Sequence, residues 1–422
     1  MQIGRRCLII RKTAFNNWII ALFLVLMENC FYLIDTDRIP LGYSDLWLIL
    51  FVCYYTFQYV KRNNRNFYIK KYNFRLVMYL LITIVVLSSI QAGFEYNQSI
   101  LLGLRPQRRF LLLLICYYSL RLQFQRNKIE FDDIETIIIN IGIFESILYC
   151  VQQAVFSSIS FLHLSYNYRY GSVRLYIDSV VIVFMILFSF NKYIRNNKLY
   201  HLLPVALGLY YEITVSKGRL ECIGIFAALI ISFLLWKELS TRKFIGCIIL
   251  IIAVVIFANT SIFNNFVMAL EIKFGLVSQS SYLDTMAIRN DARTFYMNEL
   301  FKSPIRVLFG CGYPNTDFQL AAIASGFNQG FIFADNGIFS FIYAYGLLGV
   351  LFLLCLYFGC MRSAIEIYKC KNDVRYLTFF IFIVAISYNI IFWWWKPEWT
   401  YMLAILLASM EYEMICIKYN KN

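Results

Sequence analysis

The chain has 422 residues, of which 60% are hydrophobic and only 15% are charged, with a mean hydropathy of +0.62. Soluble domains carry about a quarter charged residues and less than about half apolar ones, so a water-soluble domain is excluded and a polytopic membrane protein is expected. The net charge of +14 does not point to nucleic acid, because the basic residues fall in short runs between apolar segments, the arrangement of loops facing anionic lipid.

At the N-terminus, Arg5, Arg6, Arg11 and Lys12 precede an apolar run that ends in Glu28-Asn29-Cys30 and Tyr32 without a small-x-small cleavage site. This reads as an uncleaved first membrane helix. A span needs roughly 17–25 mostly apolar residues. That ruler predicts twelve spans, at 17–34, 43–60, 73–91, 108–122, 134–156, 175–191, 199–215, 219–236, 243–260, 336–358, 374–392 and 399–417. With both termini placed in the cytoplasm, the inner segments collect 25 of the 39 basic residues, and every inner loop is basic, as the positive-inside rule requires. The expected fold is therefore all-α, a bundle of about twelve transmembrane helices. Residues 1–260 hold the first nine helices, 261–334 a large extracytoplasmic loop, and 335–422 the last three. The loop reads as amphipathic helices near 264–275 and 282–302, then Pro304 and the glycine-rich turn Phe309-Gly310-Cys311-Gly312-Tyr313-Pro314.

The outer basic residues cluster. Arg105, Arg108 and Arg109 sit at the mouth of the fourth helix, and Arg169 and Arg174 flank Gly171. Lys217 and Arg219 occupy the tight turn Ser216-Lys217-Gly218-Arg219, while Lys273, Arg289, Arg293, Lys302 and Arg306 lie in the large loop. Arg289 and Arg293, four apart, share a helix face. A single arginine at a membrane edge ordinarily snorkels to the interface; several convergent ones make a site for a pyrophosphate or an anionic glycan. Glu145, Asp178 and Glu221 are acids expected to face the bundle interior, with ion pairing, such as Asp178 to Arg174, as the structural alternative. Asp335-Asn336 opens the tenth helix. Alone it reads as a helix cap; beside the loop it is a candidate for chemistry. The twelve cysteines lack metal or disulfide spacing, only His163 and His201 are present, and no phosphate-binding glycine motif occurs. No metal, cofactor or nucleotide is expected.

The turn at 216–219, the Gly-x-Gly run at 310–312, and Asp335-Asn336 followed nine residues on by Gly346-x-x-Gly349 resemble the O-antigen ligase and polymerase superfamily, bacterial polytopic proteins with one large outer loop. The likeness covers most of 165–355 in order and topology. In the ligase branch a histidine holds the position of Asp335, and the turn reads Ser-Arg-Gly. The aspartate here favours the polymerase branch, which joins repeat units of O-antigen (lipopolysaccharide) or capsular polysaccharide. The resemblance implies a multi-pass glycosyltransferase of the bacterial cytoplasmic membrane, acting on undecaprenyl-pyrophosphate-linked glycan at the outer face, inverting by analogy. By similarity Lys217 or Arg219, and Arg289 or Arg293, correspond to the family's functionally important basic positions, with the choice within each pair open; Asp335 is the candidate catalytic residue, and Arg174 and Asn336 join the four basic residues as candidate substrate-binding positions. Membrane lipid and a chain-length regulator protein are the further partners expected. The alternatives are a polysaccharide ligase and, from another class, a lipid-linked oligosaccharide flippase.

Overall fold

The computed structural model describes residues 16–35, 43–63, 74–126, 128–169, 172–177, 180–235, 280–388 and 390–420. Backbone surrounded by hydrocarbon must close its own hydrogen bonds, and apolar runs do so as helices. In chain order these are α1 (Asn16–Met27), α2 (Tyr43–Asn63), α3 (Arg75–Tyr96), α4 (Ile100–Gln125), α5 (Phe131–Val155), α6 (Val180–Asn196), α7 (Leu202–Tyr211), α8 (Arg219–Leu234), α9 (Ser280–Leu300), α10 (Pro304–Phe309), α11 (Gln319–Ala324), α12 (Gly337–Lys371), α13 (Arg375–Ser387), α14 (Phe392–Trp395) and α15 (Pro397–Asn420). Among the described residues the one β element is an antiparallel hairpin, β1 (Tyr166–Arg169) with β2 (Ser172–Leu175), in which Asn167 pairs with Arg174. Its tyrosines, valine and alternating polar residues suit a pleated strand better than a span.

Four described stretches are long and apolar enough to cross a membrane: Arg75–Tyr96, Phe131–Val155, Phe333–Lys371 and Pro397–Lys418. They fall on the spans expected at 73–91, 134–156, 336–358 and 399–417. Shorter apolar helices occupy five further expected spans: Asn16–Met27, Ile49–Gln58, Phe110–Gln125, Leu220–Leu234 and Arg375–Ser387. The span at 243–260, the helix near 264–275, Lys273, Gly171 and Asp178 lie outside the described residues.

Helix α6 is buried on every side from Val180 to Asn191, as a helix apolar all round must be, and packs against α5, α7 and α8. Helix α15 packs on α4, and α12 on α3, α13 and α15. Two departures from the expected spans have local causes. Helix α1 stops at Met27 because buried Glu28 turns its carboxylate to the Val181 N–H at the start of α6, 3.3 Å away, where a helix N-terminus favours negative charge. Helix α12 runs on to Lys371, past the expected 358. Cys360, Ser363, Ala364 and Ile367 are buried there at helical spacing, so an amphipathic turn extends it.

The glycine motifs join the large loop to α12. Helix α12 breaks at Gly346 (φ +59°, ψ −153°), and Gly310 (φ +80°) lies against the break. A Cβ on Gly310 would sit 2.4 Å from the Ala344 carbonyl carbon, and one on Gly346 would sit 2.5 Å from the Gly310 nitrogen. The break opens the helical ladder, and the Tyr343 carbonyl accepts from the Cys311 N–H at 2.7 Å. Gly312 approaches α3 in the same way, its Cβ position 2.3 Å from the Ala92 nitrogen. Gly349 differs: it faces the Tyr345 Cβ and the Phe341 ring, so its small size seats side chains. The stretch Gly310–Asn315 is buried throughout. Part of the expected outer loop is thus built into the bundle.

Candidate functional site

The site is assembled by α9 and the start of α12. Phe333–Asn336 forms one tight turn before α12, and Gly337 (φ +45°) turns the chain into the helix. Ser340 Oγ secures the turn, donating to the carbonyls of Phe333 (2.8 Å) and Gly337 (3.0 Å). Neither Asp335 nor Asn336 caps α12 with its side chain. Asn336 is buried and donates backwards to the Ile332 carbonyl at 2.9 Å. Asp335 accepts from Arg289 Nη2 on its Oδ2, also at 2.9 Å, and both side chains are about a third exposed. The cap reading of this dipeptide does not hold.

Arg289, Arg293 and Tyr296 follow at helical spacing on α9, along one face. Ala292 and Tyr296 are fully buried against the bundle, which fixes the rotation of α9 and turns Arg289 to Asp335. The Arg293 guanidinium lies over two rings, 5.2 Å from Phe339 of α12 and 5.3 Å from Tyr388 at the end of α13, a cation–π arrangement. Arg289 Nε, Tyr296 Oη and Asn336 Oδ1 are buried and make no hydrogen bond. Burial pushes the Tyr296 phenol up, so it is a neutral hydroxyl here. Buried polar atoms are normally satisfied; the accessible chemistry at the rim is the Arg289–Asp335 pair itself, a third of each side chain being exposed.

The 217–219 corner is built separately. Helix α7 passes into a wide turn, Glu212–Ser216, that ends at Lys217 in the left-handed region (φ +53°). Lys217 Nζ donates to the Val173 carbonyl of β2 at 2.8 Å, and Glu221 folds back so closely that Gly218 has no room for a Cβ. The backbones of Arg174 and Arg219 are placed, in β2 and at the start of α8; their side chains lie outside the described residues. Gly224 of α8 packs on Phe382 and Ile386 of α13, and Tyr388, two residues on, lies under Arg293. The corner and the α9–α12 pair therefore share one end of the bundle, with the end of α13 between them.

Arg306 is committed elsewhere. It clasps Glu95 with Nε and Nη2 (2.9 and 2.5 Å) and reaches Glu299 with Nη1 at 3.0 Å, which pins α10 to α3 and α9. Arg105 pairs with Asp317 at 3.6 Å on the surface. Sequence reasoning missed the aromatic packing behind the site. Tyr313 and Phe333 meet Trp394 at 5.7 and 6.0 Å between ring centroids, and Tyr296 meets Tyr343 at 4.8 Å. The signal was present in Phe392-Trp393-Trp394-Trp395, which starts at the last residue of the expected span 374–392 and here forms α14, packed on α15. Among the described residues no group of three or more His, Cys, Asp or Glu is placed to hold a metal ion. Compared with known proteins, the chain matches no family model and no curated protein.

Proposed function

We propose that this chain is a polysaccharide polymerase of the bacterial cytoplasmic membrane, joining undecaprenyl-pyrophosphate-linked repeat units at the outer face. In this reading it has about twelve membrane helices with both termini in the cytoplasm, following the distribution of basic residues. The observation that carries the reading is the Arg289–Asp335 contact at the mouth of α12, with Arg293 one turn along. A guanidinium has five N–H donors. Arg289 gives Nη2 to Asp335, and its side chain is about a third exposed, so its remaining donors can hold a pyrophosphate oxygen beside the carboxylate.

The donor's leaving group is already a pyrophosphate, so nucleotide hydrolysis is not required. Arg289 and Arg293 neutralise the charge that develops on it as the anomeric bond breaks. Asp335 binds Arg289 through Oδ2, and its other oxygen accepts the proton of the attacking sugar hydroxyl as general base. Asn336, Lys217, Arg219 and Arg174 are the proposed contacts to the glycan and to the second phosphate.

The test is complementation of a strain lacking this chain with Asp335→Ala and Arg289→Ala variants expressed at the normal level. The expected result is loss of chains longer than one repeat unit, with single lipid-linked units accumulating on the outer face. Full-length polymer from both variants refutes the proposal. Long but unattached chains identify a ligase, and single units trapped inside identify a flippase.

A further inference from the structure

Helix α10 belongs to a segment expected to lie in water, yet its outward face is apolar. Ile305 and Leu308, three apart on one face, are 58% and 48% exposed, and Phe301, one turn earlier, is 70% exposed. Of the two cations between them, Arg306 turns inward to Glu95 and Glu299, and Lys302, next to Phe301 at the start of the segment, is 60% exposed and paired with Glu299. The apolar face is also continuous with surfaces of two helices that are long and apolar enough to cross a membrane. The Leu308 carbonyl lies against Gly346, next to Leu347 and Leu351, which begin the outward stripe of α12. Gly312 lies against Ala92 of α3, whose outward stripe ends in Phe94.

Depth and hydrogen bonding agree. Gly310 meets α12 at Ala344, about 10 Å along the helix from Gly337 at 1.5 Å per residue. Non-helical backbone at that depth survives only where protein satisfies it. The Cys311 N–H donates to Tyr343, Gln98 Nε2 donates to the Tyr313 carbonyl at 2.9 Å, and Gln98 Oε1 accepts from the Asn315 N–H at 3.1 Å. Two glycines without side chains allow that approach from both sides.

We infer that residues 301–312 form a re-entrant segment seated in the leaflet at the Asp335 end of the bundle, with the Phe301, Ile305 and Leu308 face against lipid acyl chains. The occupant of this apolar face is the bilayer itself, because the face continues the lipid-facing stripes of α3 and α12. This holds whether or not the chain is a polymerase, and its test does not read polymer.

The experiment uses the full chain in nanodiscs, where both faces meet water, and measures labelling by a charged maleimide over the native background. Asn298→Cys and Asp317→Cys, both at exposed positions, label readily. Ile305→Cys and Leu308→Cys label at least about tenfold more slowly, because a thiol in hydrocarbon does not ionise. A bimane on these two cysteines is quenched by brominated lipid and not by aqueous iodide. Labelling at 305 and 308 as fast as at 298, with buried Cys311 silent, overturns the inference. So does shielding from water without quenching by brominated lipid, which means that protein covers the face. If Cys311 also reacts, the fold has opened, and the same measurements on Phe301→Cys, whose side chain is the most exposed of the three, decide the question by the same criteria.

Discussion

Gly346→Ala is the substitution from which the structure predicts most. The residue sits at φ +59° and ψ −153°, a region open essentially to glycine alone, where a side chain costs about 1–3 kcal/mol. The new Cβ would also lie 2.5 Å from the Gly310 nitrogen and 2.7 Å from the Leu308 carbonyl carbon and oxygen. Ordinary contact needs about 3.5 Å, so the loop must retreat by nearly that difference. Retreat stretches the buried Cys311–Tyr343 hydrogen bond, whose loss costs about 1–3 kcal/mol. Together these give about 2–6 kcal/mol, against a typical net stability of about 5–15 kcal/mol. Gly330→Ala is the control, because Gly330 also has positive φ (+83°) but open space around its Cβ position. It carries only the left-handed cost of about 1–2 kcal/mol. The assay is thermal unfolding of both variants in nanodiscs, with Cys311 as a local probe. The Cys311 thiol is buried, so a charged reagent does not reach it while the contact is intact. Gly346→Ala should melt well below Gly330→Ala and expose Cys311 at temperatures where the control keeps it silent. Adding Gly310→Ala should cost less than its separate effect, since both changes spoil one contact. Equal melting of the two single variants, with Cys311 silent in both, refutes the backbone-on-backbone account.

Arg289→Ala and Asp335→Asn should abolish polymer formation while changing stability by less than about 1 kcal/mol, because an ion pair a third exposed to solvent contributes little; a melting loss as large as that of Gly346→Ala would make the pair structural. At the other end of the bundle Arg375, which is nearly buried, holds Asp132, Asp373 and the fully buried Glu135. Arg375→Ala leaves the Glu135 charge without its strongest partner and should destabilise by about 3–5 kcal/mol; Glu135→Gln added to it should restore part of the loss in thermal unfolding, and no restoration refutes the assignment. Lys217→Ala removes the charged donor from the Val173 carbonyl, a bond of about 1.5–3 kcal/mol. Proteolytic nicking of the 166–175 hairpin should rise by about tenfold or more, and unchanged nicking would show that the bond does not hold the hairpin.

What was legible in the sequence follows from periodicity and charge. Spans such as 73–91 and 399–417 need only a run of apolar residues of membrane length, and α3 and α15 lie where that criterion puts them. The i,i+4 spacing of Arg289 and Arg293 put both on one face of α9 before any contact was known. Three features were hidden for separable reasons. The end of α1 depends on Glu28 meeting the N-terminus of α6 across more than 150 residues of chain, and no local window contains that partner. The burial of Gly310–Asn315 looked like a glycine-rich surface turn, because turn residues and close-packing residues are the same residues. The partner of Asp335 was ambiguous because aspartate before a helix suits a cap equally well; only the rotation of α9, set by Ala292 and Tyr296, decides between the two.

The glycine motif and the Asp335-Asn336 dipeptide have a physical connection that their spacing alone does not disclose. The nine residues between Asn336 and Gly346 form a separate helical piece, closed at one end by the turn that Ser340 secures and at the other by the break that receives Gly310. Arg289 is carried by α9, which joins α10 and the 310–312 run through only a few residues. The loop thus meets the same short piece of α12 twice, in the close packing of Gly310 on Gly346, which holds it, and at the rim, where Arg289 meets Asp335. Packing of the 310–312 run on that segment brings the end of α9 and its guanidinium close to the carboxylate without asking the exposed ion pair to hold the loop. This explains why charged residues at the rim depend on glycines in the interior: the glycines let the loop backbone approach α12 closely enough for the arginine to reach the carboxylate.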